Sequence, residues 1–294
     1  MTAGLTRAGI VGAALVIGGM TAASLANPLP APAVRTFGGE RIVAADFHVH
    51  AQPGDGALLP WDLAREARRR GLDAIAITNH NQMIGVSRTR PLQTPFGVLI
   101  LPGEEVTTPY VHIAAIGLDH AVDWRGTIGD IAAAIHVQGG VAIAAHPAQD
   151  QRAPWTDDAF TAVDGVEAAH PIMFSGRLAR AQIADAYAHA LLAHPGIAAI
   201  GSSDDHTAEP LGFCRTYVFA RAVTEDGILD AVRRGRTVAC DATGATHGPP
   251  DLVPAVADAC REDIRASQTT PRRALAATAV VWIGLIVLAF LGFE

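Results

Sequence analysis

Five short segments, spread over residues 46–206, each put metal-binding side chains at or close to the end of an apolar, β-like run. They read Asp46-Phe47-His48-Val49-His50, Thr78-Asn79-His80-Asn81, Gly103-Glu104-Glu105, Ala145-His146-Pro147 and Ser203-Asp204-Asp205-His206. No single element can gather side chains so far apart in sequence. A sheet whose strand ends converge can, and in α/β barrels and open α/β sheets alike the chemistry collects at the carboxyl ends of the strands. Unrelated core histidines have no reason to keep to strand ends. A mixture of imidazoles and carboxylates suits Zn, Mn or Fe, and a bound ion makes water a nucleophile near neutral pH. His112 departs from the rule, because it opens an apolar run instead of closing one.

Between about 41 and 248 apolar runs alternate with helical patterns. The sequence predicts strands over 42–47, 73–78, 97–101, 111–118, 141–145, 164–168, 197–201 and 215–219, and helices over 61–70, 127–138, 176–193 and 225–234. The continuously apolar Ala74-Ile75-Ala76-Ile77 and Val141-Ala142-Ile143-Ala144 fit a sheet buried on both faces. Repeated β-then-α units predict a parallel sheet with right-handed crossovers.

The two ends read differently. Residues 1–26 have a single early Arg7, an apolar stretch to Met20 and a small-residue Ser24-Leu25-Ala26, the grammar of a signal peptide or an uncleaved membrane anchor. Residues 274–293 are uncharged and apolar, and twenty helical residues span about 30 Å, so a C-terminal transmembrane helix is expected as a membrane tether. Signal grammar sends the middle domain outside the cytoplasm, whereas Arg272-Arg273 before the span argues the reverse under the positive-inside rule. A signal acts first, so an extracytoplasmic domain is expected. Residues 27–40 and 249–273 read as linkers.

The net charge is −7, and all 22 basic residues are Arg. That acidic balance argues against general nucleic-acid binding, which needs a basic surface. Three cysteines, at 214, 240 and 260, with no Cys-x-x-Cys, exclude a zinc ribbon or a disulfide-dense scaffold. A Cys214–Cys240 bridge and buried free thiols are both open.

Taken together and in order, the five segments resemble the PHP (polymerase and histidinol phosphatase) superfamily, whose hallmarks are Asp-x-His-x-His, Thr-Asp-His, Gly-x-Glu, His-Pro and Ser-Asp-x-His. The stretch from Pro102-Gly103-Glu104-Glu105 through His112 to Ala145-His146-Pro147 looks most like the carbaryl hydrolase-like branch. The resemblance covers about 44–240 and implies a distorted (β/α)7 barrel holding two or three divalent metal ions (Zn, Mn or Fe). Carried over by position, a first ion would take His48, His50, Glu105 and Asp204. A second would share Glu105 and add His112 and His146, and a third would take His80 and His206. The motif pattern selects Glu105 over Glu104 and Asp204 over Asp205. Two departures concern the third ion. Asn79 stands where the family has Asp, and the segment after His-x-His reads Gln-Pro-Gly-Asp-Gly (52–56), offering Asp55 as a ligand.

The resemblance implies hydrolysis of a small-molecule phosphoester by a metal-bridged hydroxide, with Asp204 in the centre and His206 or another pocket histidine protonating the leaving group. Carboxylic ester or carbamate hydrolysis is the alternative, and a non-catalytic metal- or ligand-binding domain is a second class. His170, in a second Ala-His-Pro behind Gly165-Val166-Glu167, together with Arg88 and Arg177, are candidates for contacting substrate. His136 and His189 fall inside helical patterns, and His194 ends one.

Overall fold

The computed structural model describes residues 6–26, 29–83, 92–147, 155–206, 211–268 and 272–291. In chain order the elements are α1 (Arg7–Ala26), β1 (Arg35–Phe37), β2 (Glu40–Val49), α2 (Pro60–Arg69), β3 (Ala74–Ile77), β4 (Leu92–Gln93), β5 (Leu99–Thr107), β6 (His112–Ile116), α3 (Ile128–Val137), β7 (Val141–Ala145), α4 (Asp157–Ala162), β8 (Gly165–Ala169), α5 (Arg177–Ala193), β9 (Ala198–Gly201), β10 (Arg215–Ala220), α6 (Glu225–Arg233), β11 (Thr237–Cys240), β12 (Thr246–His247), α7 (Val253–Gln268) and α8 (Arg272–Leu291). A 3-10 turn, Pro171–Phe174, follows β8. The chain divides into two compact units, residues 31–267 and the paired termini 1–30 and 268–294.

The terminal unit is the helix pair α1 and α8. Their backbones meet at Gly12 and Gly284, where an added Cβ would lie 3.0 and 2.7 Å from the other glycine's carbonyl oxygen. Among the described residues no helix is long and apolar enough to cross a membrane. The transmembrane helix expected over 274–293 and the signal or anchor over 1–26 are therefore not supported. α8 opens on Arg272-Arg273, with alanines at 274, 276, 277 and 279 behind them.

The larger unit is an α/β fold around one barrel-like sheet. Its path runs β12-β11-β10-β2-β3-β5-β6-β7-β8-β9. β9 curls back onto β10 and nearly closes the ring: Gly201 of β9 donates to Thr216 Oγ1 of β10 at 2.9 Å and Thr216 donates back to Gly201 O at 2.8 Å. Gly201 is required there, since a Cβ would lie 2.3 Å from Arg215 O. Small and branched side chains fill the inside, among them Ala45, Ala74, Ala76, Ala114, Ile143 and Ile200.

The expectation of an all-parallel sheet is corrected. β2-β3-β5 and β7-β8-β9 are parallel, but β5-β6, β6-β7 and β10-β2 are antiparallel. The connection between Thr107 and His112 is too short for a crossover, which needs a dozen residues or more, so β5 and β6 form a hairpin. This explains His112. An antiparallel strand brings its first residue to the rim where its parallel neighbours bring their last, and His112 pairs with Thr107 on one side and Ala145 on the other.

Two linker expectations are also corrected. Residues 35–37 form β1 on the edge of β2. Residues 253–268 form α7, an amphipathic helix that buries Val256, Cys260 and Ile264, with Leu252 just before it, in one core with Tyr217 and Phe219. Burial every fourth residue is the pattern of one helix face on a sheet. A disulfide, Cys240–Cys260, ties this helix to β11, and Cys214 is free and buried, so a Cys214–Cys240 bridge does not form.

Candidate metal centre

All eight side chains expected as metal ligands come together at the rim of the barrel. His48 of β2 and His50, the residue just after it, are both buried. Four atoms, His48 Nε2, His50 Nε2, Glu105 Oε2 and Asp204 Oδ1, lie within 4.8 Å of one another. The cross-distances from the two imidazoles to the two carboxylates are 3.3, 3.3, 3.4 and 3.2 Å. Four ligands at Zn–N/O bond lengths around one tetrahedral ion stand about 3.3 Å apart. The same four atoms are buried with no hydrogen-bond partner among the described residues. Buried polar atoms are nearly always paired, so four convergent orphans fit a cation.

The electrostatics agree. Burial drives the His48 imidazole down, yet Asp204, Glu105 and Glu167 outweigh it and hold it well above its ordinary value. Burial likewise opposes His50, which Asp204 and Glu105 push up to about 9. Burial pushes Glu105 and Asp204 up, but the surrounding imidazoles hold both well below the usual carboxylate range. All four shifts favour positive charge in the pocket.

Glu105 is shared. Its Oε1 faces His112 Nδ1 at 2.7 Å and His146 Nε2 at 3.1 Å, the set expected for a second ion. Its Oε2 also faces His80 Nδ1 at 2.7 Å. The neighbouring Glu104 points the opposite way, as successive strand residues do. It is buried, accepts from the Val122 amide, and burial pushes it up to about 7. A third cluster joins Asp55 Oδ2 to His80 Nε2 and His206 Nε2, each at 3.4 Å, while Asp55 Oδ1 holds His50 Nδ1 at 3.0 Å. Asp55 thus belongs to the centre. Asn79 does not contribute a ligand atom. Its amide accepts from Ala51 N and donates to Ala51 O, both at 2.8 Å, so it fastens the loop that carries Asp55. A carboxylate has no proton to donate and could make only one of those bonds.

The backbone is arranged around these ligands. His146 and Asp204 sit at φ 28° and 50°, in or next to the left-handed region, at a cost of about 1–2 kcal/mol each. Asp46 of the first segment is not a ligand. Buried and pushed up to about 6 by that burial, it accepts from the amides of Ser203, Gly212 and His48, stitching β2 to the Ser-Asp-Asp-His loop.

His170 enters the site in a role of its own. Its Nδ1 accepts from the Ile172 amide at 3.2 Å, which places the ring proton on Nε2. That Nε2 lies 3.5 Å from Asp204 Oδ2 and is otherwise unpartnered. A protonated nitrogen is no metal ligand, so His170 is a donor beside the centre. Arg177 opens α5, is exposed, and does not join the cluster. Arg88 lies outside the described residues. His136 and His189 pair with Asp164 and Asp157 away from the centre, and His194 caps α5. The residue missed in the sequence is Glu167, fully buried behind His48; its only signal was a lone carboxylate inside the apolar run of β8.

Comparison with known proteins gives partial matches. Residues 183–237 match the family model PHP_C, described as PHP-associated. An uncharacterized protein of Methanocaldococcus jannaschii is 29% identical over 114 residues, 35% of this chain and 67% of that protein. The phosphoribosyl 1,2-cyclic phosphate 1,2-diphosphodiesterase of Eggerthella lenta is 31% identical over 80 residues, 25% of this chain and 30% of the enzyme. The match thus spans under a third of that enzyme's length. A two-domain protein of Bacteroides vulgatus, containing a predicted PHP-like metal-dependent phosphoesterase, shares the fold with a TM-score of 0.61 at 22% identity, over 78% of this chain and 73% of that one.

Proposed function

We propose that this chain is a PHP-type metal-dependent phosphoesterase, built on the family's distorted (β/α)7 barrel and acting on a small phosphoester. The observation that carries the reading is the buried convergence of His48 Nε2, His50 Nε2, Glu105 Oε2 and Asp204 Oδ1, with each imidazole 3.2–3.4 Å from each carboxylate. Two or three divalent ions (Zn, Mn or Fe) would be held, the first by those four, the second by Glu105, His112 and His146, the third by Asp55, His80 and His206. Bound there, the ions would supply an activated water and polarise the phosphoryl oxygen.

The chain's own residues do the rest. Glu105 presents Oε2 to the first subsite and Oε1 to the second. Asp204 offers Oδ1 to the first subsite while His170 Nε2–H faces its Oδ2. His206 turns Nε2 towards Asp55, as a ligand of the third subsite would, and His170 is placed to donate an Nε2–H hydrogen bond to substrate. The Cys240–Cys260 disulfide favours an oxidising compartment and so an extracytoplasmic domain.

The test is a panel of phosphate monoesters, phosphodiesters, carboxylic esters and carbamates offered to the metal-loaded protein. Turnover of phosphoesters that Asp204→Asn abolishes supports the reading. Turnover of carboxylic esters or carbamates alone assigns the carbaryl hydrolase-like chemistry, and no turnover with full metal occupancy assigns a binding domain.

A further inference from the structure

Glu167 contributes no atom to the convergent ligand set, yet it touches the supports of three ligands. It lies in the middle of β8 and is fully buried. Its Oε1 accepts from His48 Nδ1 at 2.9 Å and from the Ser202 hydroxyl. Its Oε2 accepts from the His146 amide at 2.6 Å. His170 Nε2 stands 3.8 Å from Oε2, beyond hydrogen-bond reach. His48 comes from β2, His146 follows β7, and Ser202 lies two residues before Asp204.

The bond to Glu167 requires the proton of His48 on Nδ1. In the neutral ring that a metal requires, the lone pair is then on Nε2, the atom that faces Glu105 and Asp204 at 3.3 Å. The opposite tautomer would turn an N–H into the cluster. The His146 amide is held at a residue in a left-handed conformation, so the same carboxylate also fixes a strained backbone. We propose that Glu167 is a positioning residue, which sets the tautomer and orientation of His48 in the first subsite and anchors the His146 backbone of the second. This rests on the reading of the cluster as a metal centre. Partners that hold a ligand's far side in this way typically change metal affinity 10–100-fold when removed.

Glutamine is the informative replacement. It keeps the shape but has one oxygen. If that oxygen serves His48 and Ser202, its amide N–H confronts the His146 N–H, donor against donor. The experiment compares wild type and Glu167→Gln, both stripped by chelation, by zinc titration against a chromophoric chelator and by the visible spectrum of the cobalt-loaded protein. The expected result is an affinity at the tightest site 10–100-fold weaker in Glu167→Gln, with a changed cobalt spectrum. Equal affinity and an unchanged spectrum would overturn the proposal while the metal-centre reading stands. A wild type that binds no ion would overturn both. Should Glu167→Gln not fold, nitrogen NMR of the zinc-loaded wild type decides: Nε2-ligated His48 with a protonated Nδ1 supports the role, and ligation through Nδ1 overturns it.

Discussion

Gly201→Ala tests the link between barrel closure and the metal centre. The added Cβ would lie 2.3 Å from Arg215 O, 2.9 Å from its carbonyl carbon and 3.0 Å from its nitrogen. All three are backbone atoms of the neighbouring strand, so no side chain can swing away. Ordinary contact demands that β9 and β10 separate by roughly 1 Å. The two bonds between Gly201 and Thr216 stretch with that movement, at about 1 kcal/mol each, and the overpacking adds about 1–3 kcal/mol. A loss of about 3–5 kcal/mol is a large part of the stability of any domain. Urea denaturation reads it as a midpoint lower by roughly 1–2 M. Ser203 and Asp204 follow within three residues, so zinc affinity should fall as well. Gly196→Ala is the control, because its nearest neighbour would be His194 Nε2 at 3.8 Å. A Gly201→Ala protein within about 0.5 kcal/mol of wild type, with unchanged zinc affinity, would refute the reasoning.

Three further outcomes follow from the same packing. Asp241 is held down to about 2: burial raises it, but His247, the Thr243 hydroxyl and the amides of Thr243 and Ala245 outweigh that. Its folded value lies below the unfolded 3.8, so its contribution of about 2 kcal/mol is present above pH 4 and lost as pH falls towards 2; the stability gap between wild type and Asp241→Asn should close across that window in urea titrations at each pH. Asn79→Asp should weaken binding at the Asp55–His80–His206 cluster, because it sets a carboxylate against Ala51 O, and calorimetry showing tighter binding would contradict the role given to Asn79. Leu252→Ala should cost about 2–5 kcal/mol by urea midpoint, whereas a linker at 249–273 predicts no change.

The ligand segments were legible because each chemistry-bearing residue closes a run whose pattern dictates a buried strand. The resemblance selected Glu105 and Asp204 over their neighbours, and the structure turns both into the cluster, Glu105 by strand alternation. Direction was not legible. An apolar run reads alike parallel or antiparallel, and only the short turn between Thr107 and His112 settles β6, which is why His112 looked misplaced. Glu167 was hidden because its function is to support other residues, and a carboxylate inside a strand announces no partner. α7 was hidden because Pro249-Pro250 and the charged face after it resemble a tether, while the buried face of Val256, Cys260 and Ile264 acquires meaning only against the sheet. Nor does sequence pair cysteines: three allow three single bridges, and the fold chooses Cys240–Cys260.

The most direct test of the central claim is phosphoester hydrolysis by chelator-stripped protein as Mn, Zn or Fe is restored stepwise. The account predicts no turnover without metal, turnover rising until two or three ions are bound per chain, and none at any loading in Asp204→Asn. Hydrolysis that persists in the stripped protein, or that Asp204→Asn retains at the wild-type rate, would contradict it.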